Sequence, residues 1–150
     1  MASLRHQARV AVMQSIFSYE FHNDEPDEVL KRSISEYANL EKEEEYAKKT
    51  FEGVLKNQKD TFEKIKEFAP EWPIEKIAPV DRAILEVAVY EMLHSEDVPP
   101  IVAINEAIEM AKTFGDESAP KFVNGVLSAI LKKYCTHRDH KTGKLVTIDV

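Results

Sequence analysis

Apolar residues recur at helical spacing from the first residues to about Tyr134, and prolines or glycines stand at the breaks in the pattern. That periodicity permits helices and little else. Ser3 is placed to cap a first helix from about Leu4 to Phe21. Pro26 opens a second, carrying Val29, Leu30, Ile34 and Tyr37. The charged run Glu41 to Lys49 enters a third, with Tyr46, Phe51, Val54 and Leu55 on its apolar side, and Phe62, Ile65 and Phe68 define a fourth. After the break at Pro70-Glu71-Trp72-Pro73, Pro79 starts a helix to about His94, which Pro99-Pro100 ends. The next helix carries Ile101, Ile104, Ala107, Ile108 and Ala111 and stops at Phe114-Gly115, where a glycine cap is expected. Ser118 and Pro120 open the last, reaching about Tyr134. Strand-like alternation is confined to Leu145 to Val150, and no repeat or domain-splitting linker is present. The expectation is one all-α domain of about seven helices over residues 1–135, followed by a weakly ordered tail, 136–150.

Composition removes several classes of function. Apolar residues are 43 % and charged residues 31 % of the chain, the balance of a soluble globular protein. No apolar run approaches the roughly 20 residues that cross a bilayer. The first residues also lack the apolar stretch of a secretory signal, and the lone Cys135 suits a reducing compartment, so a cytoplasmic protein is expected. Gly53, Gly115, Gly125 and Gly143 do not stand at the spacing of a phosphate-cradling loop. G-x-S-x-G, H-E-x-x-H and paired C-x-x-C motifs are absent, so no catalytic residue, cofactor or metal is expected. Cys135, His137 and His140 have a spacing zinc can use, but no fourth ligand is evident.

The net charge of −7 is unevenly placed. Residues 1–19 carry +2 and residues 118–150 carry +4, while residues 20–117 carry −13. Phosphates respond to local field, so basic ends brought together by the fold would bind RNA despite the acidic total. The alternative is charge bias that serves only solubility.

Two helices have faces that a core does not use up. On the last, Val123, Val126, Leu127, Ile130 and Tyr134 make one stripe, and Phe122 lies roughly 110° from its centre. Small residues Ser118, Gly125 and Ala129 surround Phe122 on that side, with Lys121 close by, which suits a base-stacking platform; packing against another helix is the competing role. The first helix has a main stripe of Leu4, Ala8, Ala11, Val12, Ser15, Ile16 and Tyr19 and a second of Val10, Met13, Phe17 and Phe21. Such a helix is either buried between layers or exposes a partner-binding patch around Phe17. Arg5 and Arg9, one turn apart, share a face that can clamp a phosphate backbone.

At this point the residues resemble a known family. Arg5-x-x-x-Arg9-x-x-x-x-Gln14 with Phe17 is similar to the opening of the NusB family. Trp72, Val80-Asp81-Arg82, Ile84-Leu85 and Tyr90-Glu91 resemble its central stretch. The run Val102 to Glu109 with Ala111-Lys112 and Phe114-Gly115, and then Lys121 to Leu127, resemble its two closing signatures. The resemblance implies two packed helical subdomains in a single domain and no catalysis. It implies binding of boxA RNA together with NusE, a small-subunit ribosomal protein, so that RNA polymerase resists termination on ribosomal RNA operons. It makes Arg5, Arg9, Lys121, Phe122 and Asn124 the expected RNA contacts, and Phe17 and Asp81 the expected partner contacts. The chain departs from the pattern in having His6 and Gln7 where more positive charge is common, Glu86 in place of a usual arginine, and Ala119-Pro120 before the last signature. Fewer phosphate contacts weaken RNA binding and flatten its salt dependence. Two alternatives remain: a protein-only scaffold, and a homodimer that pairs through the second stripe of the first helix. Asn105, Glu106 and Asn124 also suit hydrogen bonding between helices.

Overall fold

The computed structural model describes residues 3–138 and 145–147. Seven α-helices carry the chain: α1 (Leu4–His22), α2 (Pro26–Ser35), α3 (Glu44–Lys56), α4 (Gln58–Phe68), α5 (Pro79–His94), α6 (Pro100–Phe114) and α7 (Ala119–Tyr134). Ser3 caps α1 as expected, its hydroxyl accepting from the His6 amide at 3.0 Å. Prolines fill the first turns of α2, α5, α6 and α7, where a missing N–H costs nothing. The charged run before α3 begins as a 3-10 turn, Leu40–Glu43. Thr136–Arg138 (β1) and Leu145–Thr147 (β2) pair antiparallel within the segment expected to be a tail. The rest of that tail lies outside the described residues.

α5 is the organising element. Every residue from Ala83 to Met92 is buried, so this helix has no solvent face and must be enclosed by the others. α1 and α3 pack on it from one side, α4, α6 and α7 from the other, and α2 completes the N-terminal group. One continuous core runs through both groups and includes Met13, Ile16, Phe51, Ile65, Ile84, Leu85, Met110, Leu127 and Ile130. The two stripes of α1 are both used in its middle, where Val10, Val12, Met13 and Ile16 are all buried. Towards its C-terminal end the second stripe emerges, and Phe21 is 66 % exposed.

Gly115 ends α6 for a reason other than the expected one. Its backbone is extended (φ −90°, ψ 179°), so no left-handed cap is involved. A Cβ there would lie 2.4 Å from the Ala119 Cβ and 2.9 Å from the Asp81 carboxylate. The glycine lets the α6–α7 connection close on the first turn of α5. Asp116 then orders the start of α7, its Oδ1 accepting from the Ser118 amide at 3.0 Å and hydroxyl at 2.9 Å.

Candidate nucleic-acid interface

The two arginines expected to share an open face are divided by the fold. Arg9 is buried, 4 % exposed, with its Nε donating to Glu91 Oε1 at 2.7 Å and a second nitrogen 3.5 Å from Glu106. The Tyr46 hydroxyl donates to the other Glu91 oxygen at 2.8 Å, and His6 Nδ1 meets Glu106. Burial works against the Arg9 charge, but Glu91, Tyr46 and Glu106 together outweigh it and the guanidinium pKa rises; burial raises the Tyr46 pKa. Both groups therefore hold their protons. Arg9 ties α1 to α3, α5 and α6 rather than facing a ligand. Arg5, 44 % exposed, lies 4.1 Å over the Tyr46 ring and bonds Glu43 at 2.8 Å through Nε. The sequence could not give this division, because Glu91 and Glu106 are far from Arg9 along the chain.

Phe122 is half-buried, and its ring meets Trp72 edge-on at 6.5 Å with 70° between the planes. Trp72, held between Pro70 and Pro73, is 53 % exposed. Clefts of about 420 and 390 Å³ open on the two sides of this aromatic pair. Lys121 borders both, and Lys76 borders the first. Gly125 leaves the second cleft open, since a Cβ there would touch nothing within 4 Å. Asn124 is exposed and accepts from the Ser128 hydroxyl at 3.1 Å. Trp72 carried only a family resemblance in the sequence; its place against Phe122 comes from the α4–α5 connection folding over α7.

Phe17 and Asp81, expected on one partner surface, occupy different sides of the first turn of α5. Phe17 stacks on Phe21 at 5.6 Å beside Pro79 and Arg82. Asp81 is one of the residues lining the first Phe122 cleft and is 8 % exposed; its Oδ1 is sealed from solvent beside Gly115, without a hydrogen-bond partner among the described residues. Burial, then the charge of Asp116, raises its pKa. Near Phe17 lies a cluster that periodicity did not reveal. Glu86 is fully buried, accepting from Gln58 at 2.9 Å, and Arg82 meets Glu20 at 3.3 Å. Burial and then Glu20 push the Glu86 carboxyl up to about 9, so it carries a proton at neutral pH.

Among the described residues, Arg9 and Lys121 do not share a face. Asp81, under Phe122, and Glu91, holding Arg9, are ten residues apart on α5, about 15 Å at about 1.5 Å per residue. At the far end of α7, Lys133 and Tyr134 are bound to Glu67. Of the residues considered for a metal, Cys135 is buried, its thiol pushed up to about 11 by burial and donating to the Met92 carbonyl. The His137 side chain and His140 lie outside the described residues. Glu106 is drawn into the Arg9 network, while Asn105 is exposed.

No helix among the described residues is long and apolar enough to cross a membrane. The family model described as "NusB family" matches residues 6–132. The transcription antitermination protein NusB of Bacillus subtilis (strain 168) is 41 % identical over 126 residues, covering 84 % of this chain and 93 % of that protein. The protein of the same name from Dehalococcoides mccartyi (strain CBDB1) is 38 % identical over 132 residues, covering 88 % and 92 %. Among solved structures, T. maritima NusB superposes with a TM-score of 0.79 at 33 % identity, covering 89 % of this chain and 94 % of that one. A structure of antitermination factors NusB and NusE in complex with dsRNA gives 0.77 at 27 % identity, covering 89 % and 100 %. With relatives of this similarity and coverage, and a family model spanning most of its length, the chain belongs to the NusB family.

Proposed function

We propose that this protein is a transcription antitermination factor that binds boxA-type RNA together with NusE and joins the antitermination complex of RNA polymerase, chiefly on ribosomal RNA operons. It acts in the cytoplasm, by binding and without catalysis. The observation that carries the reading is the Phe122–Trp72 pair standing beside Lys121 and Lys76, in a chain whose relatives are named antitermination proteins. Aromatic rings next to cations suit single-stranded RNA, because every base offers a π-face and every nucleotide a charge. Phe122, Lys121 and Asn124 form one RNA-contacting region, and Arg5 on its Tyr46 platform forms another. Arg9 serves the second indirectly, by fixing Tyr46 through Glu91. The Phe17–Phe21 stack is the proposed NusE surface.

The test is binding of boxA RNA and a scrambled RNA of equal length at one salt concentration, with and without NusE. The expected result is preference for boxA, strengthened by NusE. Equal affinity for the two RNAs in the presence of NusE would overturn the proposal. Self-pairing is the second reading, favoured by the 66 % exposure of Phe21. It predicts a sedimentation coefficient that rises with concentration and a Phe21→Ser variant that stays monomeric.

A further inference from the structure

Arg5 is held on two sides. Its guanidinium lies 4.1 Å over the Tyr46 ring, and its Nε donates to Glu43 Oε2 at 2.8 Å. The ring is anchored in turn, because the Tyr46 hydroxyl donates to Glu91, which the buried Arg9 also grips. Glu43 ends the 3-10 turn before α3 and Tyr46 stands three residues on, in the first turn of that helix, so both reach the same guanidinium. The Glu43 side chain is 20 % exposed, against 44 % for Arg5. An ion pair this near the surface adds little to stability, because fixing two long side chains costs entropy that the weak attraction barely offsets. Its effect is to orient the arginine.

Tyr46 covers one face of the guanidinium and Glu43 occupies its Nε edge, while the two terminal nitrogens have no hydrogen-bond partner among the described residues. Those nitrogens form the fork that takes two oxygens of a phosphate side by side. A free arginine gives up rotamer freedom to present that fork, whereas one already held has less to lose. We propose that Glu43 is a positioning residue for RNA binding: it fixes Arg5 with the terminal nitrogens turned outwards to a backbone phosphate of single-stranded RNA. This role rests on the RNA-binding reading of Arg5 and adds a second residue to it. Its sign is opposite to that of simple electrostatics, in which an acid beside RNA repels phosphates and its removal tightens binding. Between partly exposed groups that repulsion is screened by water and salt, so the orienting effect prevails.

The test is the affinity of full-length protein for fluorescein-labelled boxA RNA, with NusE present, across a range of salt concentrations. Glu43→Ala is expected to bind roughly threefold more weakly, the cost of ordering one freed arginine. Its slope of log K against log salt concentration should match wild type, since the Arg5–phosphate contact still forms. Glu43→Gln loses the charge but still accepts from Nε, so it should bind at least as tightly as wild type. Glu41→Ala removes an exposed acid of the same turn that has no ion pair among the described residues, and it should not weaken binding. In an Arg5→Ala background, Glu43→Ala should cause no further loss. Glu43→Ala binding as tightly as wild type overturns the proposal, as does Glu43→Gln binding as weakly as Glu43→Ala. A loss from Glu43→Ala that persists without Arg5 also overturns it, because Glu43 would then act through the packing of α3. Arg5→Ala with undiminished boxA affinity removes this role and leaves RNA binding to the Phe122 region. Failure of the wild type to bind any RNA removes both.

Discussion

Glu86 shows how one residue sets a pH dependence for the whole fold. In the unfolded chain its carboxyl titrates near 4.5, and in the folded chain burial and Glu20 push it up to about 9. Between those values the folded state holds a proton that the unfolded state has lost. Stability contributed by this group is therefore complete at low pH and declines as pH rises, by at most about 1.4 kcal/mol per pH unit. Glu86→Gln has no proton to lose and can still accept from Gln58. Its stability relative to wild type should climb from pH 5 to pH 9 in urea unfolding; a constant difference across that range would show that Glu86 is ionised in the fold. Phe122→Ala tests a different residue-scale claim. Loss of one stacking ring should weaken RNA binding by about 1–3 kcal/mol with the helical spectrum unchanged. Undiminished affinity in the folded variant would make the ring a packing group against Trp72.

At the scale of helices, the two glycines inside α3 and α7 should respond to alanine with opposite signs. Gly53 lies under the Tyr90 ring, and a Cβ there would sit 2.1 Å from it. Overpacking costs about 1–3 kcal/mol, more than the roughly 1 kcal/mol that alanine gains over glycine in a helix. Gly53→Ala should therefore lower the melting temperature. Gly125 has open space, so Gly125→Ala gains the propensity term alone and should raise it by about 2–4 °C per kcal/mol for a chain of this size. Calorimetry of both variants decides the matter, and a shared sign would show that helix propensity outweighs the Tyr90 contact. The comparison also marks what sequence can convey. Helix positions followed from period and proline, which are local, and α1 to α7 fall close to where they were expected. The need for Gly53 depends on a ring 37 positions away on another helix. The same physics hid the role of Arg9: its spacing from Arg5 is local, but its carboxylate partners arrive only when α5 and α6 pack on α1. Phe122 was legible as a flank residue because helical geometry alone turns it off the core stripe, while Trp72 beside it was not.

For the whole molecule, the arrangement of free cations decides how RNA binding responds to salt. The charge bias of the sequence suggested one basic surface made by both chain ends, yet Arg9 and Lys133 are committed to carboxylates. Of the side chains expected to contact RNA, Arg5, bonded to Glu43 but 44 % exposed, and Lys121 remain accessible, near opposite ends of α5, with about 15 Å of helix between Glu91 and Asp81. Two contacts that far apart and without shared partners should act independently. Each phosphate contact to a single strand contributes about 0.7 to the slope of log K against log salt concentration. Arg5→Ala and Lys121→Ala should each flatten that slope by about this amount, and the double variant should lose the sum, with free energies additive to about 0.5 kcal/mol. Arg9→Lys supplies the contrast. It leaves the slope unchanged and lowers thermal stability, because a lysine cannot reproduce the guanidinium geometry between Glu91 and Glu106. A double variant well short of additivity would mean that both cations serve one phosphate cluster, and the two-region interface would then collapse into one.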